Sequence, residues 1–240
     1  MAIEKDLSLA NLLISALPAP ERALFLEYCE LVELKLDKVM IEAGQALVYA
    51  YFPVDGMVSI VVPADDAPDA LVAMVGNEGM FPVSLVLKGA TSAFTCKVQG
   101  AGRAFRIQRG RLQFLQLDNE GVSDVLNRYV DVCQSQLARQ AVCMNYHTVR
   151  QRLARWLLMT RDRTHSSELF LTHQALAFMI GVRRESVSRM ARVFEERGLI
   201  SYSHGYLMLL DGAGLEQLSC RCYQANLLTY EKTLGISANG

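Results

Sequence analysis

Forty residues, Leu171 to Leu210 (LTHQALAFMIGVRRESVSRMARVFEERGLISYSHGYLMLL), constrain this chain more than any other stretch. They predict two short helices joined by a turn and followed by a β-hairpin. Thr172 stands where its hydroxyl accepts from an orphan backbone N–H of a first helix. Ala175, Leu176, Met179 and Ile180 then form that helix's inward stripe. Gly181 falls where the turn between crossing helices favours a residue without Cβ, and Gly198 where the second helix takes a left-handed exit. Leu199–Tyr202 and Tyr206–Leu210 flank Ser203-His204-Gly205, which reads as a hairpin loop.

The second helix, Arg184 to Arg197, carries the chemistry. With Arg184 at zero, Ser188, Arg192, Glu185 and Arg189 fall at roughly 40°, 80°, 100° and 140° around the axis. Met190, Phe194, Val187 and Ala191 fall at roughly 240° to 340°. One face therefore docks on the domain while the other offers arginines, a glutamate and a serine near the helix start. The bland reading is a solvated face with a Glu185–Arg189 pair worth about 0.2–0.5 kcal/mol. Charge order argues against it. Cations at a helix N-terminus oppose the macrodipole, yet a helix that reads DNA wants them there. Arg183, Arg184, Glu185, Ser188, Arg189 and Arg192 are the candidate DNA-contact residues.

The stretch Gly181-Val182-Arg183-Arg184-Glu185-Ser186-Val187-Ser188-Arg189 resembles the recognition-helix motif of the Crp–Fnr family of bacterial transcription regulators. The resemblance implies an α+β fold: an N-terminal antiparallel β-roll of the cyclic-nucleotide-binding kind, a long dimerisation helix, and a C-terminal winged helix-turn-helix. The expected divisions are residues 1–118 for the sensor roll, 119–145 for the dimer helix and hinge, and 146–240 for the DNA-binding domain with a helical extension. It also implies a homodimer on an inverted repeat of double-stranded DNA, with RNA polymerase as a further partner. By analogy Glu185 accepts from cytosine N4, and Arg189 forks onto guanine O6 and N7. Arg184 matches the catabolite-activator branch and Ser188 the fumarate/nitrate branch, so the half-site stays open.

Charge distribution fits that division. Residues 1–144 hold 12 Lys and Arg against 17 Asp and Glu, whereas residues 145–240 hold 12 against 8. A basic C-terminal part behind an acidic N-terminal one suits a module for polyanions. With 51% hydrophobic residues in 240, the chain can build substantial cores. No run reaches the length of a membrane span, and Glu4 and Asp6 argue against a secretory signal, so a cytoplasmic protein without membrane contact is expected.

The six cysteines show no CxxC. Cys29 on an amphipathic helix, Cys96 in a strand, and Cys133 and Cys143 in a long helix read as small buried hydrophobes. Cys220-Arg221-Cys222 is closer to a reactive or ligand pair, but two thiols so near in sequence make a poor structural metal site. No metal and no cofactor is expected.

In chain order, Leu9–Leu17 reads as a short helix stopped by Pro18 and Pro20, and Glu21–Leu31 as an amphipathic helix. From Val32 to Ile107 short apolar segments alternate with turn signals at Glu42–Gly44, Val54–Gly56, Asp65–Pro68, Gly76–Gly79, Lys88-Gly89 and Gly100–Gly102. This pattern predicts a small antiparallel roll. In the resembled family such a roll holds a cyclic phosphate with an arginine and the ribose with a glutamate. Here Gly79–Val98 contains neither arginine nor acid: Pro82-Val83-Ser84 replaces Gly-Glu-Leu, and Thr91-Ser92-Ala93 replaces Arg-Ser-Ala. An unpaired buried anion is prohibitive, so loss of cyclic-nucleotide binding is expected. Lys88 could supply a cation to the alternative. The candidate effector pocket, around Phe81, Ser84, Thr91 and Ser92, suits a neutral or hydrophobic small molecule.

Val122, Leu126, Tyr129, Cys133, Leu137, Ala141 and Met144 recur at helical spacing. They form either a seam against a second copy or a face packed on the roll of the same chain. Asn145 marks the expected hinge. Helix His147–Arg163 then places Val149, Leu153, Trp156 and Leu157 inward and its arginines outward, with Arg150 and Arg152 available to phosphate. Glu168–Leu171 reads as a strand, and Gly214–Thr233 as a helical extension without assigned function. No nucleophile elbow, HExxH or phosphate-cradling loop supports an enzyme. A winged-helix adaptor that binds protein instead of DNA is the remaining rival.

Overall fold

The computed structural model describes residues 7, 9–64, 66 and 69–238. Much of the expected turn at Asp65–Pro68 lies outside them, as do Glu4 and Asp6. Asn11 caps helix α1 (Leu12–Ser15), its Oδ1 accepting from Ile14 N at 2.9 Å. Pro20 lies in the first turn of α2 (Ala19–Glu27), where its missing N–H would have been unpaired anyway. That helix ends earlier than expected. Cys29–Leu34 is strand β1, because its backbone groups pair along the whole of a neighbouring strand, and Cys29 is therefore not helical.

The roll is antiparallel, in the order β1-β5-β3-β4, with short β2 (Val39–Ile41) also on β5. Its frame is two 14-residue strands, β3 (Tyr49–Val62) and β5 (Thr95–Gln108), with β4 (Ala70–Val75) on the outer edge. Two expected turns, Val54–Gly56 and Gly100–Gly102, are bulges inside these strands. Glycine is there for close approach rather than reversal: a Cβ on Gly102 would lie 2.4 Å from Asp55 O. Phe25, Phe52, Leu34, Val98 and Ile107 fill the roll.

Helix α3 (Arg109–Asp118) leads into the 27-residue α4 (Glu120–Tyr146). Val122, Val125, Leu126, Tyr129 and Val132 of α4 are buried in the roll's own core, so the first half of the seam is intramolecular. In the second half Leu137, Val142 and Met144 are exposed.

The chain breaks at His147-Thr148, where Thr148 and Gln151 form a capping box for α5 (Val149–Thr164). The expectation that this helix turns its arginines outward fails for two of them. Arg150 is exposed and Arg152 half-buried, but Arg155 and Arg163 are buried. Arg163 reaches the roll: its Nε lies 2.8 Å from Oε1 of Glu78 in the turn after β4, both side chains almost fully covered. Close packing there needs Gly76, since a Cβ would meet Arg163 Cβ at 2.6 Å.

Strand β6 (Glu168–Phe170), helices α6 (His173–Ile180) and α7 (Arg184–Glu196), and the hairpin β7 (Ile200–Ser203)–β8 (Tyr206–Leu209) complete the helix-turn-helix with its wing. β6 pairs with β8 in a three-stranded sheet. The extension is two helices, α8 (Gly212–Leu218) and α9 (Cys222–Leu234), broken at Ser219–Arg221. Tyr223 of α9 belongs to the C-terminal core, while Tyr230 and Leu234 belong to the core of the roll. Among the described residues no helix is long and apolar enough to cross a membrane.

Candidate nucleic-acid interface

Local chemistry sets the helix-turn-helix as expected. Thr172 Oγ1 accepts from Ala175 N at 3.1 Å, and Gly181 leaves α6 at φ 62°. Val187, Ala191 and Phe194 dock α7 on the core. The wing turns through His204 and Gly205, at φ 51° and 88°, which is the two-residue hairpin geometry whose twist matches the strands.

Arg183, Arg184, Glu185, Arg189 and Arg192 are all exposed on one side of α7. Arg192 contacts Glu196 at 3.2 Å, an exposed i,i+4 pair of small energetic weight. No Glu185–Arg189 pair forms among the described residues. Arg150, at the start of α5, lines the same shallow surface concavity as Arg189, beside the capped N-terminus at Thr148. The edge opened by Arg189 therefore continues onto a second cation.

Ser188 is half-buried, and its hydroxyl lies 2.9 Å from Nδ1 of His173 and 3.2 Å from Arg184 O. The His173 ring stacks on Tyr202 at 4.3 Å. Tyr202 in turn donates through its hydroxyl to Leu171 O (2.8 Å), and its N–H donates to Glu195 Oε1 (2.9 Å). First helix, reading helix and wing are thus tied through one imidazole. Burial, and then the charge of Arg184, hold the His173 pKa below its ordinary value. Sequence reasoning missed this group, although a histidine just after an N-cap threonine and a tyrosine in the wing strand were both in view.

Residues 151–218 match the family described as the Crp-like helix-turn-helix domain. The cAMP-activated global transcriptional regulator CRP of Pasteurella multocida is 23% identical over 195 residues, 78% of this chain and 93% of that protein. Residues 151–218 are thus similar to a Crp-like helix-turn-helix domain, and the chain as a whole resembles CRP regulators. Solved structures of bacterial proteins share the fold. FixK2 from Bradyrhizobium japonicum superposes with a TM-score of 0.68 at 15% identity, covering 80% of this chain and 98% of that one. A putative Crp–Fnr regulator from Eubacterium rectale gives 0.66 at 19%, covering 86% and 96%. Helix α9 lies beyond the residues matched to the helix-turn-helix domain.

The roll and α4 enclose a cavity whose walls include Phe81, Ser84, Phe94, Tyr129, Cys133 and Gln136. Among the described residues no charged side chain lines it. Thr91 and Ser92, expected at this pocket, do not line it. The Ser92 hydroxyl is occupied by Phe94, donating to its O (2.6 Å) and accepting from its N (3.1 Å), while Thr91 is exposed. Lys88 is also exposed and apart from the cavity.

The cysteines divide into two groups. Burial pushes the thiols of Cys29, Cys96 and Cys133 up to about 12, as inert apolar residues require. Cys143 is buried as expected, but it clusters with Cys220 and Cys222 apart from both hydrophobic cores. Cys143, His147, Cys220 and Cys222 bring their ligand atoms within 4.8 Å of one another. The Cys220–Cys222 pair is a poor site alone, but the end of α4 delivers Cys143 and His147 from one helical face, four residues apart. That spacing was visible in the sequence; the meeting of residues 75 and 77 positions apart was not.

Proposed function

We propose that this chain is a homodimeric, sequence-specific DNA-binding transcription regulator that reads an inverted-repeat operator in the cytoplasm. The observation that carries the reading is the exposed edge of α7. Arg183, Arg184, Glu185 and Arg189 face outward with no ion pair to one another among the described residues. Exposed, unneutralised forks of this kind suit bidentate contacts with base edges. Arg150 and the α5 N-terminus, beside Arg189, suit contacts with the adjoining phosphates, which supply position and most of the affinity.

Residues 1–118 serve as sensor, 119–145 as dimer helix and hinge, and 146–240 as DNA-binding domain with its extension. Leu137, Ala141, Val142 and Met144 on the exposed end of α4 support pairing with a second copy, which sets two reading helices one DNA turn apart, about 34 Å. RNA polymerase is the expected partner of the DNA-bound dimer. The uncharged cavity between roll and α4 suits a neutral or apolar effector and gives a cyclic phosphate no cation.

Selection of bound fragments from genomic DNA should yield an inverted repeat, with log affinity falling linearly against log salt. Failure to enrich any sequence, with salt-independent capture of proteins instead, would favour the adaptor reading. Micromolar binding of cyclic AMP or cyclic GMP by calorimetry would overturn the assignment of the cavity.

A further inference from the structure

Four potential ligands converge where α4 ends and the C-terminal domain begins. Cys143 Sγ lies 3.6 Å from Cys220 Sγ, and Cys222 Sγ lies 3.7 Å from His147 Nδ1. The three cysteines are buried and form their own cluster, separate from both hydrophobic cores. A tetrahedral zinc with Zn–S near 2.3 Å and Zn–N near 2.0–2.1 Å has S···S edges of about 3.8 Å and S···N edges of about 3.6 Å. Both separations are close to those edges.

A second observation points to charge at this place. Arg155 is buried, and among the described residues it pairs with no carboxylate: Nη1 donates to Gln140 Oε1 at 2.8 Å and Nε has no partner. A buried guanidinium without an anion is costly. Arg155 lines the same cavity as Cys143. Three thiolates and a neutral imidazole around Zn²⁺ carry one net negative charge, which Arg155 balances.

We propose that Cys143, His147, Cys220 and Cys222 form a closed structural site for one Zn²⁺ per chain. On binding, each of the three thiols loses its proton to solvent, the imidazole binds neutral, and nothing is oxidised. The cation ties the connector between α8 and α9 to the end of α4. All four tetrahedral positions come from protein, so the site holds structure and activates no water.

The full-length protein, purified under reductant, should contain one equivalent of zinc by mass spectrometry of the metal. Cys143→Ser, Cys220→Ser and Cys222→Ser should each lose most of it, whereas Cys29→Ser keeps it. Since a ligand variant can fail to fold, a second measurement uses the wild-type chain. Protein stripped by a chelator and titrated with Co²⁺ should develop the intense visible bands of tetrahedral thiolate cobalt and release protons in step. Zinc-free protein with no cobalt spectrum under reductant would overturn the proposal. So would an anaerobically purified Cys143–Cys220 disulfide that excludes metal, wild-type zinc content in all three variants, or iron with acid-labile sulfide in place of zinc.

Discussion

The carboxylate of Glu78 lies 2.8 Å from Nε of Arg163, deep between the roll and the C-terminal domain. The other carboxylate oxygen accepts from Gly76 N (3.0 Å), and Nη1 of Arg163 donates to Met159 O (3.0 Å), so each partner is anchored to its own domain. The contact between them is one of charge, poorly aligned as a hydrogen bond. A pair of this kind adds little net stability but strongly penalises its own rupture. Glu78→Gln should therefore lower unfolding stability by about 3–5 kcal/mol, read from urea denaturation. Pairing it with Arg163→Met should recover a large part; no recovery would mean that the charges are not coupled.

Arg189→Ala should weaken specific DNA binding by about 1–3 kcal/mol and relax preference at one base pair. Arg150→Ala should instead weaken binding evenly across sequences and reduce the salt slope by about 1. Binding arrays for the two variants distinguish these roles. An unchanged sequence profile for Arg189→Ala would remove it from base reading.

His173 should titrate below the ordinary histidine value, because burial and Arg184 both disfavour its charged form. The folded state then binds fewer protons than the unfolded state between the two pKa values. Stability should accordingly fall as pH drops through the ordinary value of 6.5 toward the lower folded value, and flatten beneath it. A nuclear magnetic resonance titration of the imidazole tests this directly, and an unshifted midpoint would contradict the effect of burial and of Arg184 on the ring.

Gly181→Ala meets two obstacles. The residue sits at φ 62°, and a Cβ would lie 2.4 Å from the Cε of Met144 at the end of α4. The methionine tip can swing away, but the backbone term remains, roughly 1–2 kcal/mol for an L-residue in that region. Thermal melts should show that loss, and adding Met144→Ala should not restore it.

Much of the reading helix was legible because its boundaries are decided locally. Thr172, Gly181, Gly198 and the His204-Gly205 turn each impose a backbone geometry on their own neighbours. The misreadings arose where the partner decides. Cys29–Leu34 carries apolar residues at spacings compatible with a helix face, and only pairing to β5 makes it a strand. Gly56 and Gly102 signal tight backbone equally well for a reversal and for a bulge. The period of α4 marks an apolar stripe without saying whose core it enters. Arg155 and Arg163 read as solvated because their anionic or polar neighbours lie on α4 and the roll, far away in sequence.

The last helix leaves Tyr223 in one hydrophobic core and Tyr230 in the other, two turns apart on the same rod. Neither half can therefore melt while the other keeps its full complement of buried rings. Calorimetry should register one shared transition in place of two independent ones, and a chain stopped after Leu218 should resolve into a pair of separate, less cooperative events.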